Sequence, residues 1–140
     1  MSPQVKDVMT TNPVCLNVDA PVMDAAKAMR DQDIGNVVIT RDKEPTGIIT
    51  DRDIVVRTMA ENHDPNTEQL GAFATSDPIC VSEQTEVQDA VKLMRDHHVR
   101  RLPVCTAQGE TVGIVSLGDL AVERDPESVL ADISQGQPNL

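Results

Sequence analysis

Apolar and polar positions alternate along this chain in short blocks that follow a fixed order. A brief apolar run behind a proline, PVCLNV, is followed by a stretch in which Val22, Ala25, Ala26 and Met29 recur at the spacing of one helix face. Asp19 is the expected N-cap of that helix, with Pro21 in its first turn. Two closely spaced apolar runs come next, NVVIT and TGIIT, divided by the turn-forming RDKEP, which predicts a strand pair rather than a helix. A second helical stretch then carries Ile54, Val55 and Met59. The order is strand, helix, strand, strand, helix.

That order occurs twice. Shifted by 65 positions, residues 12–31 fall on 77–96 with identities at Pro13/Pro78, Cys15/Cys80, Val22/Val87, Asp24/Asp89, Ala25/Ala90, Lys27/Lys92, Met29/Met94, Arg30/Arg95 and Asp31/Asp96. The second helix face is Val87, Ala90, Val91 and Met94, opened by an expected capping box of Thr85 and Gln88. After a one-residue shift, TGIITDRDIVVR falls on VGIVSLGDLAVE, pairing Thr50 with Ser116 and Asp53 with Asp119. The division read from the sequence is a first repeat over 1–62, a linker and lead-in over 63–75, a second repeat over 76–124, and a short C-terminal helix and tail over 125–140. The linker's LGAFAT end mirrors VKDVMT near the N-terminus. A unit of about 60 residues buries only enough surface to be marginal alone, so the repeats are expected to pack around a pseudo-twofold axis in one α+β fold.

Composition narrows the function classes. One Phe, no Trp and no Tyr leave no stacking platform for single-stranded nucleic acid. A net charge of −11 and a pI near 4.5 set long-range repulsion against nucleic acid and anionic membranes. No apolar stretch approaches the roughly 18 residues of a membrane span, and MSPQVKDVM lacks a signal peptide's apolar centre, so a cytoplasmic protein is expected. Cys15, Cys80 and Cys105 form an odd set without C-x-x-C spacing, which indicates neither a disulfide framework nor a zinc ribbon. Inert thiols are the expectation, with redox or metal sensing as the alternative. His97 and His98 at the end of a helix suit its dipole and match no metal-site spacing, so no metal site is expected. The chain has no G-x-S-x-G, H-E-x-x-H or Walker loop, and an enzyme is not expected.

Two five-element repeats, the phrases HHVRRLPVC and VGIVSLGDL, and a glycine, two apolar residues and [T/S]-x-x-D at both equivalent places resemble a CBS-domain pair, or Bateman module. The resemblance covers roughly residues 5–124. DRDIVVR followed by HDPNT is further similar to small stand-alone CBS-pair proteins of the bacterial hypoxic or general stress response type. The resemblance implies a regulatory module that takes AMP, ATP, NAD(H) or S-adenosylmethionine in clefts between the repeats, needs no cofactor, pairs into homodimers and signals to a partner protein. By position it assigns ribose binding to Asp53 and Asp119, and places Thr50 and Ser116 near phosphate.

The residues themselves admit two readings of this motif. Thr50-x-x-Asp53 is a helix start, in which the hydroxyl accepts a backbone N–H and the acid offsets the helix dipole. The same corner presents free N–H groups to an anion and a carboxylate to the hydroxyls of a ribose. Arg52 stands in the first motif where the second has Gly118; Arg101 stands before LPVC where the first copy has Asn36. Thr50, Arg52, Asp53, Arg101, Ser116 and Asp119 are therefore the candidate ligand residues, in two sites that differ. A ligand-free structural or protein-interaction module is the competing expectation.

Overall fold

The computed structural model describes residues 2–74 and 79–124. The expected C-terminal helix and tail, 125–140, lie outside the described residues. The chain divides into two compact units that interleave along the sequence. Among the described residues, 14–74 form one; the N-terminal segment through Pro13 joins 79–124 to form the other.

In the first unit, β2 (Cys15–Asn17) runs parallel to β3 (Asn36–Arg41), and α1 (Val22–Gln32) makes the crossover between them. β4 (Glu44–Thr50) returns antiparallel to β3, giving the sheet order β2-β3-β4. One face of α1, Val22, Ala25 and Met29, packs with Val37, Ile39, Ile49, Ile54, Leu70 and Phe73 in a single apolar core. The helix stripe and the strand pair stand where the apolar spacing puts them.

The second unit repeats the plan with α3 (Val87–His97), β5 (Arg101–Cys105) and β6 (Thr111–Ser116). Its sheet, β1-β6-β5, takes its edge strand β1 (Thr10–Thr11) from the N-terminal segment. Gly113 faces that edge. A Cβ there would lie 2.6 Å from the Met9 sulfur and 3.1 Å from the Thr10 carbonyl oxygen, so any side chain would have to displace the Met9 thioether and press on the β1 backbone. The strand expected at PICVS is reduced, within the described residues, to one parallel bridge, Val81 to Val104.

Neither long helix is capped as its sequence suggests. Asn17 holds a turn by accepting the Asp19 N–H through Oδ1, which leaves Pro21 at the α1 N-cap position without a side-chain cap. Glu86 likewise replaces Thr85 at the start of α3, because the Thr85 hydroxyl accepts the Ser82 N–H instead. Backbone carbonyls from the partner segments satisfy the exposed helix amides: Val22 N–H donates to Glu68 O at 2.9 Å, and Val87 N–H to Pro3 O at 3.0 Å.

These segments are the mirrored stretches. A 3-10 turn at Val5–Asp7 buries Val5 in the second unit's core, and another at Leu70–Ala72 buries Leu70 in the first unit's. Their bonds match pair for pair at the 65-residue offset: Val5 N–H donates to Thr85 O where Leu70 N–H donates to Ala20 O, and Lys6 N–H to Glu83 O where Gly71 N–H donates to Val18 O.

Candidate functional site

Each unit carries the duplicated motif where its last strand turns into a helix. In the first unit β4 ends at Thr50, and one α-helical turn, α2 (Asp51–Asp53), widens at once into a π-helix over Ile54–Met59. Thr50 and Asp53 form a complete reciprocal capping box: Asp53 N–H donates to Thr50 Oγ1 at 3.1 Å, and Thr50 N–H donates to Asp53 Oδ2 at 2.9 Å. Asn36 is the register partner of Thr50 on the neighbouring strand, and Gly35 O accepts the Asp51 N–H at 3.0 Å.

The second unit builds the same corner at the junction of β6 with α4 (Leu117–Arg124). Asp119 N–H donates to Ser116 Oγ at 3.1 Å and Ser116 N–H donates to Asp119 Oδ2 at 3.0 Å. Arg101 is the register partner of Ser116, and Arg100 O accepts the Leu117 N–H at 2.8 Å. Register thus sets Arg101 beside the Ser116 motif, where the first unit sets Asn36 beside Thr50.

The box spends part of each carboxylate and leaves part. An aspartate offers about four lone-pair positions, and one on Oδ2 is taken by the backbone. Oδ1 of Asp53 and of Asp119 has no partner among the described residues, and the Thr50 and Ser116 hydroxyls, used as acceptors, keep a proton to donate. All four residues are half-buried. Capping therefore does not exhaust the polar capacity of the corner.

The cations differ between the corners. Arg52 is exposed, and its guanidinium makes no hydrogen bond or ion pair among the described residues. Arg57, which also flanks the first motif, donates from Nη1 to Phe73 O at 2.7 Å and so ties the helix to the linker segment. In the second unit Arg101 is half-buried, and its Nε is a buried nitrogen without a hydrogen-bond partner among the described residues. The motif alone does not reveal the placement of Asn36. The 65-residue offset does, because it maps Asn36 onto Arg101.

The π-helix turns Val55, Val56 and Met59 outward while Ile54 and Thr58 point inward. The Thr58 side chain is wholly buried, with no hydrogen-bond partner for its hydroxyl among the described residues. No group of three or more His, Cys, Asp or Glu among the described residues is placed to hold a metal ion. Nor is any described helix long and apolar enough to cross a membrane.

Two five-element units with matching strand-to-helix corners define a tandem regulatory module of the CBS class. The CBS domain profile matches residues 5–59 and 70–124, and the chain belongs to the CBS domain family. The uncharacterized protein YlbB of Bacillus subtilis is 37% identical over 139 residues, covering 95% of this chain and 93% of YlbB. Hypoxic response protein 1 of Mycobacterium tuberculosis is 35% identical over 117 residues, covering 83% of this chain and 81% of its own. A crystal structure of Hypoxic Response Protein I with two coordinated zinc ions superposes with a TM-score of 0.74 at 34% identity, over 85% of this chain and 97% of that one. The CBS pair of protein MJ0100, solved with 5′-methylthioadenosine and S-adenosyl-L-methionine, shares the fold with a TM-score of 0.78 at 23% identity, over 91% and 100% of the two chains.

Proposed function

We propose that the chain is a sensor that binds an adenosine-containing ligand, AMP, ATP, NAD(H) or S-adenosylmethionine, at its two strand-to-helix corners and signals through the conformation of a homodimer. The observation that carries this reading is the duplicated capping box, which leaves an equivalent carboxylate oxygen and an equivalent hydroxyl proton without a partner among the described residues in both units. Asp53 and Asp119 would accept the ribose hydroxyls. Thr50 and Ser116, with Arg52 in one corner and Arg101 in the other, would meet the phosphate or other charged end. The adenosyl ligands of MJ0100 support the ligand class. No proton transfer or bond cleavage is assigned to any residue; the module binds.

Signalling requires that the ligand favour one arrangement of the dimer over another, because only differential affinity shifts such an equilibrium. The exposed Val55, Val56 and Met59 of the first unit and Leu117 of the second supply apolar surface for that dimer. The same surface favours the competing reading, a ligand-free interaction module.

Calorimetry and thermal-shift measurements with AMP, ATP, NADH and S-adenosylmethionine separate the two readings. A saturable heat from at least one ligand, abolished in the Asp53→Ala, Asp119→Ala double variant, is the expected result. Absence of binding by all four at millimolar concentration overturns the sensor reading in favour of the interaction module.

A further inference from the structure

We propose that Cys80 and Cys105 form a redox-active dithiol that closes to an intramolecular disulfide within the second unit. The two residues lie on adjacent parallel segments: Val81 pairs with Val104, Val81 N–H donates to Pro103 O at 3.0 Å, and Cys105 N–H donates to Val81 O at 2.9 Å. That frame brings the Cys80 and Cys105 sulfurs to 2.9 Å from each other. A disulfide has a sulfur–sulfur length of about 2.0 Å, so the sulfurs need close by only about 0.9 Å, within the reach of side-chain rotation. Two thiolates sharing a tetrahedral zinc ion stand about 3.8 Å apart, from a Zn–S length of about 2.3 Å. The observed spacing lies on the disulfide side of that value. No third or fourth metal donor accompanies the pair among the described residues.

Access sets the order of events, since Cys80 is exposed and Cys105 is buried. A low-molecular-weight disulfide such as oxidised glutathione is attacked by the Cys80 thiolate, releasing one glutathione thiol and leaving a mixed disulfide. Cys105, giving its proton to solvent, then attacks the Cys80 sulfur and expels the second glutathione. Two electrons pass from the cysteine sulfurs to the reagent, and two protons end on the released thiols. The new bond spans a sequence separation of 25 residues and fastens the segment ahead of α3 to the end of β5.

The first unit supplies an internal control. Cys15 occupies the position of Cys80, but Thr40 stands where the second unit has Cys105, at the same register relative to β2. The Thr40 hydroxyl donates to Leu16 O at 3.5 Å, so a hydroxyl rather than a second thiol occupies the matching position. Desolvation also pushes the Cys15 thiol up, although the residue is exposed overall, which lowers its thiolate fraction. Oxidation would therefore fasten one repeat and leave the other unchanged.

The test uses the reduced full-length protein, equilibrated with oxidised glutathione, then quenched with acid, alkylated and peptide-mapped. The expected result is loss of two of the three titratable thiols, a mass lower by two hydrogens, a linked Cys80–Cys105 peptide, and an upward shift of the thermal midpoint that dithiothreitol reverses. Cys15→Ser should behave as wild type, and Cys105→Ser should stop at the glutathione adduct on Cys80. Three persistent thiols, a bond that includes Cys15, or a bond between two chains would overturn the proposal. The wild-type peptide map decides the matter even if a variant fails to fold.

Discussion

Asp53 and Asp119 each have two possible tasks, and the two respond differently to substitution. As a capping-box acid, Asp53 stabilises the start of its helix by about 1 kcal/mol. As a ligand group, it contributes nothing until a ribose arrives. Asp53→Ala should thus lower the unfolding free energy by about 1 kcal/mol in urea titration and, separately, remove the calorimetric binding of the first corner. Arg101 offers a sharper contrast, since a charge-assisted hydrogen bond is worth about 1.5–3 kcal/mol. Arg101→Gln should weaken AMP at the second corner by about 10- to 100-fold while leaving adenosine nearly unaffected. An equal loss for both ligands would assign Arg101 a packing role. Thr58 makes the opposite case: its hydroxyl has no partner among the described residues, and a buried group so placed destabilises by about 1–3 kcal/mol, so Thr58→Val should hold or raise the thermal midpoint. The capping boxes were legible in the sequence because they are local, three residues apart. The setting of Thr58 was not, because it depends on a π-helix that no short-range pattern announces.

At the scale of elements, the helix faces and strand pairs followed from apolar spacing, whereas the starts of α1 and α3 did not. Asp19 and Thr85 have the chemistry of N-caps, but neighbouring turns occupy them, and the amides they would have capped bond to carbonyls of Glu68 and Pro3. Those acceptors are 46 and 84 residues away in sequence, beyond any local reading. The two 3-10 segments therefore serve as caps as well as core. Leu70→Ala should cost about 2–5 kcal/mol, the range for deleting a fully buried leucine side chain, and should leave the second unit's own core intact. Amide hydrogen exchange read separately in α1 and α3 checks this. Faster exchange in α3 than in α1 would contradict the division into two cores. Gly113→Ala should act on the other unit, through the Thr10 carbonyl and Met9 sulfur that a Cβ would meet.

Across the whole molecule, the internal repeat carried most of the fold, because each feature seen once was checked by its partner 65 residues on. The repeat is not the folded unit, however. Its boundary falls near residue 62, whereas the first unit runs on through the linker and the second takes the opening residues, through Pro13, of the first repeat. The net charge of −11 sets the conditions for self-association. Two chains of like charge repel, so a dimer formed through apolar surface such as Met59 should tighten with added salt. Met59→Glu should weaken it at every salt concentration, as read by sedimentation velocity. A wild-type chain that stays monomeric throughout would remove the dimer from the proposed function.

The borrowed N-terminal edge also governs how the protein is made on the ribosome. Residues 14–74 leave the exit tunnel as one continuous stretch that already contains everything its core requires. Pro3, Val5 and Thr10 emerge earlier, yet must wait for Val87, Thr85 and Ile114 respectively to be translated before they find their donor, acceptor and strand partner. During that interval the nascent N-terminal segment carries a strand edge whose partner, β6, is not yet made and a valine whose core is not yet assembled.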